Sequence, residues 1–173
     1  VNDTSTLRIA LTNVNATGFT GVAFSDLYPV GLINAAAPNA TTTCPAGTIA
    51  ASAGGNSLVF ASGTVPASGS CRVEVSVTRS EAGHYFNTTG PVTTANAGAS
   101  AGANAMLDVL TPPTITKSFS PDTVAVNGDS QLRVIITNPA INSVSLTGIN
   151  VNDDFPANMV VAPTAGLSNS CGG

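Results

Sequence analysis

Cysteine is the first reactive residue type to account for in this chain. Cys44 and Cys71 lie 71 − 44 = 27 residues apart, and Cys171 stands alone far downstream. Neither CxxC spacing nor a histidine cluster accompanies them, which argues against metal ligation. Two cysteines so spaced read as a disulfide, which requires an oxidising location outside the cytoplasm. Closing a loop of this length stabilises by roughly 3–4 kcal/mol in the chain-entropy account.

His84 is the single histidine. Nucleophilic catalysis would need it beside an activated Ser, Thr or Cys, with an acid to orient it. Glu81 is near in sequence, but no GxSxG elbow, phosphate loop, zinc spacing or dinucleotide fingerprint occurs. The chain therefore reads as a non-enzyme with a turn histidine, no cofactor and no metal. Asn2, Asn15, Asn39 and Asn87 each begin an N-x-Ser/Thr sequon, a pattern that chance alone supplies in a chain so rich in Asn and Thr.

The elements that must position these residues read as strands. In LRIALTN, Leu7, Ile9 and Leu11 fall on one face and Arg8, Ala10 and Thr12 on the other. In CRVEVSVT, Cys71, Val73, Val75 and Val77 alternate with Arg72, Glu74 and Ser76. A period of two marks a half-buried strand. TGVAFSD, GLINA, GTIAAS, SLVFASG, HYFNTT and ANAMLDVL are further strand candidates, punctuated by Gly, Pro, Asn and Ser. Short strands with turns every 8–12 residues describe an all-β antiparallel sandwich. The Ala-rich stretch TTANAGASAGANAM carries too much Gly and Asn for a helix and is expected to be a loop entering the last strand.

The chain also repeats itself. LRIALTN at 7–13 recurs as LRVIITN at 132–138, FTGVAFSDLYP at 19–29 as LTGINVNDDFP at 146–156, and the TTTC ending at Cys44 as the SNSC ending at Cys171. The offsets are 132 − 7 = 125, 146 − 19 = 127 and 171 − 44 = 127. A tandem array is the reading. Residues 1–111 are expected to be a repeat lacking its first strand, and 112–173 the N-terminal part of a second. Cys171 would then pair near position 171 + 27 = 198. Pro112-Pro113 stiffen the junction, and TITKSF supplies the first strand of the second copy. Its absence ahead of the first copy predicts an unpaired sheet edge there.

Within the repeat, Asp153-Asp154 with Asn150 and Asn152 offer oxygen ligands of the kind Ca²⁺ takes. The matching stretch of the first copy holds only Asp26, so a polar turn with one repeated aspartate is the reading. Charged residues make up 8% of the chain and net charge is −4, with the five Lys and Arg scattered. That excludes a clustered basic face for nucleic acid. No apolar run is long enough to span a bilayer as a helix.

The order of signals is KSFSPDTVAVNGDSQLRVIITNP, then LTG, then the Asp-x-x-Pro of SDLYP and NDDFP, then Cys, an ASGSC turn and GHYFNTTGPV. It resembles the tandem repeats of large bacterial surface proteins, the type catalogued as domain of unknown function eleven and its cysteine-containing relatives. The resemblance implies tandem immunoglobulin-like sandwiches, strung as stalks on extracellular or cell-surface proteins without catalytic activity. Some surface sandwiches of this kind cross-link a first-strand Lys to a late-strand Asn beside a buried acid. Lys117 stands on the first strand of copy two, and Asp26 and Asn87 take the acid and late-strand positions of copy one. The bland alternative is a lysine that snorkels at a strand end. The expected partners are neighbouring repeats or copies of the chain itself, head to tail. The rival is an adhesin for a glycan or host protein, anchored by Tyr28, Tyr85, Phe86 or Phe155. Tyr28 and Phe155 are equivalent in the repeat, which favours core packing over recognition.

Overall fold

In the computed structural model, which describes residues 3–171, every regular element among the described residues is a β-strand. The chain divides into two compact units. One comprises Val1–Thr111 with Ala140–Ser143, the other Pro112–Pro139 with Val144–Gly173.

Unit 1 holds eleven strands: β1 (Thr4–Asn13), β2 (Phe19–Leu27), β3 (Ile33–Asn34), β4 (Thr41–Thr42), β5 (Thr48–Ala50), β6 (Ser57–Val65), β7 (Gly69–Thr78), β8 (Gly83–Thr88), β9 (Val92–Thr94), β10 (Gly98–Ser100) and β11 (Asn104–Val109). One sheet runs β1-β7-β3 with β4 also on β7, and a second runs β10-β9-β2-β6-β5. β8 and β11 form a separate pair. All pairings are antiparallel.

The alternation read from sequence sets the layers. Ile9 and Leu11 of β1 and Val73, Val75 and Val77 of β7 face inward. They meet Val22 and Phe24 of β2 and Leu58 and Phe60 of β6, so one apolar core lies between the two sheets. Phe24 and Phe60 pack with ring centroids 5.4 Å apart. Gly47 and Gly63 flank the Phe60 ring so closely that a methyl group at either would run into it. The Cys44–Cys71 disulfide joins the chain just past β4 to β7, with Cα atoms 4.9 Å apart.

The Ala-rich stretch is not the loop expected from its glycines. β9 and β10 form a hairpin there. Thr94 closes the turn, its Oγ1 accepting from the Ala97 N–H at 2.8 Å and donating to the Gly98 carbonyl at 3.0 Å. Gly98 takes φ +77°, which glycine adopts without strain. Asn96 ties the tip down, donating to the Gly18 carbonyl and accepting from the Thr20 N–H. Turn chemistry thus outweighs the weak strand propensity of Gly and Ala.

Several strands of unit 1 have a single partner strand, β1 and β11 among them. Among the described residues β1 pairs only with β7, and β11 only with β8. Grooves border both edges. One, of about 240 Å³, is lined by Ile9–Thr12 of β1 and, opposite, by Thr89, Ala101 and Ala103. The other, of about 250 Å³, is lined by Thr4 and Ser5 of β1 and by Leu107–Val109 of β11.

The described residues of unit 2 form two strands, β12 (Thr114–Ser120) and β13 (Gln131–Thr137), paired antiparallel with Lys117 opposite Val134. LTGINVNDDFP forms no strand, although its counterpart in unit 1 is β2. β2 is held between β6 and β9, and among the described residues of unit 2 no strand plays either part. Apolar side chains of unit 2 accordingly stay in solvent, Leu167 at 91% and Val126 at 93% exposure.

Candidate functional site

A buried carboxylate in a β-sandwich core needs an explanation, because desolvating a charge is costly unless it is paired. Asp26 is such a group. On β2 it continues the inward row of Val22 and Phe24 and is 0% exposed. Asn87, on the inward face of β8, is also buried. Its Nδ2 donates to one carboxylate oxygen of Asp26 at 2.8 Å. The other Asp26 oxygen and the Asn87 Oδ1 are buried, with no partner among the described residues. Burial pushes the Asp26 pKa up, and the Asn87 hydrogen bond partly offsets that rise.

Tyr28 lies two residues on and is buried in the core. Burial and the nearby Asp26 charge both push its phenol upward. Its hydroxyl donates to Asn34 Oδ1 at 2.9 Å. The Asn34 Nδ2 in turn donates to the Ser52 and Ser57 carbonyls. This network was not foreseen from sequence. Asn34 falls in a weak two-residue strand, and only its complete burial singles it out.

Unit 2 carries a related pairing. Lys117 sits mid-strand in β12, and its Nζ donates to one carboxylate oxygen of Asp153 at 2.7 Å. The second Asp153 oxygen is buried and has no partner among the described residues. By the repeat offset, 153 − 127 = 26, so Asp153 is the sequence counterpart of Asp26. The structure therefore brings together Asp26 and Asn87 in unit 1, and Lys117 and Asp153 in unit 2. The repeated aspartate was the signal that could have paired Lys117 with Asp153.

The other reactive residues fall elsewhere. His84 Nδ1 lies 2.7 Å from Asp108, its cross-strand neighbour on β11. The hydrogen bonds from His84 and from Ser143 hold the Asp108 carboxyl below its ordinary value. The serine binds the acid and not the imidazole, whereas a nucleophilic triad needs the order nucleophile, base, acid. Glu81 pairs with Arg79 at 2.5 Å rather than with His84. Among the described residues no three His, Cys, Asp or Glu side chains gather as a metal site.

Of the aromatic anchors considered for recognition, Tyr28 is core and Phe155 half-buried. Tyr85 is covered by Arg79, whose guanidinium lies 4.6 Å from the ring centroid and donates to its hydroxyl. Phe86 is 60% exposed. Among the sequon residues, Asn15 and Asn39 are exposed, Asn87 is buried, and Asn2 lies outside the described residues. Cys171 is a free, exposed thiol.

A family model described as "Domain of unknown function (DUF7933)" matches residues 1–109 and 113–173, nearly the whole chain. No curated protein and no solved structure matches it.

Proposed function

We propose that this chain, which belongs to the DUF7933 family, is a non-enzymatic structural segment of an extracellular or bacterial cell-surface protein. In this reading its units are immunoglobulin-like repeats in tandem, and the array serves as a stalk or filament. The observation that carries the proposal is that β1 and β11, each with one partner strand among the described residues, have grooves beside them. An exposed edge is a site for strand addition. A strand such as β12, which precedes β13 as a counterpart would precede β1, is the segment that fits.

Other features agree. The Cys44–Cys71 disulfide suits an oxidising location. Core residues drawn from both sheets resist shear between the layers. Deleting residues 112–125 from the native material should impair assembly, because it leaves the following repeat without its first strand. Assembly indistinguishable from the intact protein would contradict the proposal.

One observation favours an adhesive alternative. Phe86 and Met106 stand directly opposite each other on β8 and β11, both largely exposed. Paired apolar side chains on an outer face are the type of anchor a partner protein or glycan uses. Binding lost in Phe86→Ser, with the fold intact, would support that role; binding to no glycan or host protein favours the structural one.

A further inference from the structure

Ala140–Ser143 belongs to unit 1, although the chain on either side of it belongs to unit 2. Two side chains hold it there. Asn142 Oδ1 accepts from the Thr111 N–H at 2.9 Å, and Asn142 Nδ2 donates to the Thr111 carbonyl at 2.9 Å. Ser143 Oγ donates to Asp108 at 3.0 Å. A carboxamide carries a donor and an acceptor, as a peptide group does, so it can engage both backbone groups of one residue. Thr111 suits this, because a residue before proline is held extended. It also supplies the last backbone N–H ahead of Pro112-Pro113. Such pairing reads the backbone past the end of β11 and not a particular side chain.

The docked loop has a counterpart in the first copy. Asn138 Nδ2 donates to the Val144 carbonyl, and Asn13 Nδ2 donates to the Thr17 carbonyl. The offsets are 138 − 13 = 125 and 144 − 17 = 127, so the two-residue slip of the repeat falls inside this loop. The later offset places Val14, Asn15 and Ala16 where the second copy has Ile141, Asn142 and Ser143 (141 − 127 = 14). An apolar residue followed by asparagine thus stands in both. Val14 is 86% exposed, whereas Ile141 is 47% exposed. Asn15 is exposed, whereas Asn142 is half-buried. Among the described residues, the Asn15 amide bonds only within its own turn, donating to Asn13 Oδ1 at 3.0 Å. One loop of the repeat is therefore seated on a β11 end, and its equivalent is presented to solvent.

We infer that the turn at residues 14–16 is a docking surface for the β11 end of a second repeat of this kind. Asn15 pairs with the N–H and carbonyl of the residue at the Thr111 position of that repeat, and Val14 covers the contact. The occupant is the repeat that precedes it in the tandem order, because Asn142 likewise follows the Thr111 on which it sits. Thr111 of this chain is already taken by Asn142. Ala16 stands at the position of Ser143 and has no hydroxyl, so the bond to an acid at the Asp108 position is not part of this contact. The partner therefore needs an extended residue past its last strand and no particular charge. The first-copy loop lacks the counterparts of Pro139 and Ala140, which fall in the slip.

The inference rests on the tandem reading for its partner and is tested without it. In the full chain, residues 139–145 are replaced by residues 14–18, and amide hydrogen exchange is followed at Thr111. Its N–H should stay protected, exchanging about tenfold more slowly than in Asn142→Ala of the unaltered chain, the effect of a hydrogen bond of ordinary strength. Asn15→Ala in the grafted loop alone should remove that protection. A Thr111 that exchanges as freely as in Asn142→Ala, while the β1 and β7 amides stay protected, overturns the docking surface. So does equal exchange in Asn142→Ala and the unaltered chain, because the contact that serves as template would then be absent. Either result leaves the tandem array standing, since an array needs no such contact. Should the graft fail to fold, residues 6–130 are duplicated in tandem, giving residues 1–130 followed by 6–173 (131 − 125 = 6). Protection of the leading Thr111, lost on Asn15→Ala in the trailing copy, supports the contact. A leading Thr111 as open as in Asn142→Ala overturns it.

Discussion

Asn87 Nδ2 donates to the Asp26 carboxylate at 2.8 Å inside the unit 1 core, and among the described residues it is the one hydrogen-bond partner of that acid. The relationship spans 61 residues and links β2 to β8, which belong to different sheets. It makes the buried acid a titration reporter for the whole unit.

Asp26 has a folded pKa above its ordinary value of 3.8. The folded unit then holds that proton more tightly than the unfolded chain does. Its contribution is greatest below 3.8 and is lost as pH rises through the folded value. Thermal unfolding followed by circular dichroism should show unit 1 more stable in mild acid than at neutral pH. Asp26→Asn should flatten that slope. Asp108, held below its ordinary value, acts in the opposite sense at still lower pH, where its exposed position keeps the effect small.

Asn87→Ala should destabilise unit 1 by about 1–3 kcal/mol, the usual effect of stripping a partner from a buried polar group. Asn87 is also the group that holds the Asp26 pKa down. The pH dependence should therefore extend to higher pH in this variant, a shift that simple loss of packing would not produce. Urea midpoints across a pH series measure both effects.

Reducing Cys44–Cys71, or replacing both residues with Ser, should lower stability by roughly 3–4 kcal/mol. The bridge closes a 27-residue separation and ties the chain beyond β4 to β7. Denaturant midpoints with and without reductant give the difference.

Tyr28→Phe should cost about 1–3 kcal/mol. The variant keeps the ring in the core and leaves Asn34 Oδ1 without its donor. A change well under that range would mean that water replaces the hydroxyl.

Strands with strict alternation were legible in the sequence. LRIALTN and CRVEVSVT became β1 and β7, paired residue for residue with Leu11 opposite Cys71. The repeat offsets located the aspartate that matters, because both copies carry it before a conserved spacing to proline, Asp26 to Pro29 and Asp153 to Pro156. The β9–β10 hairpin was not legible, since it rests on side chains of Thr94 and Asn96 closing a turn of weak strand formers. β4 was missed because two residues carry no period. The Tyr28–Asn34 network depends on which side chains the tertiary fold brings together, and no local pattern encodes that choice.

The central claim is that the chain is a segment of a structural array whose open units are completed by added strands. Electron microscopy of the native material tests it most directly. The account predicts elongated rods or filaments with a regular subunit spacing. Isolated globular particles, with no rod or filament among them, would contradict it.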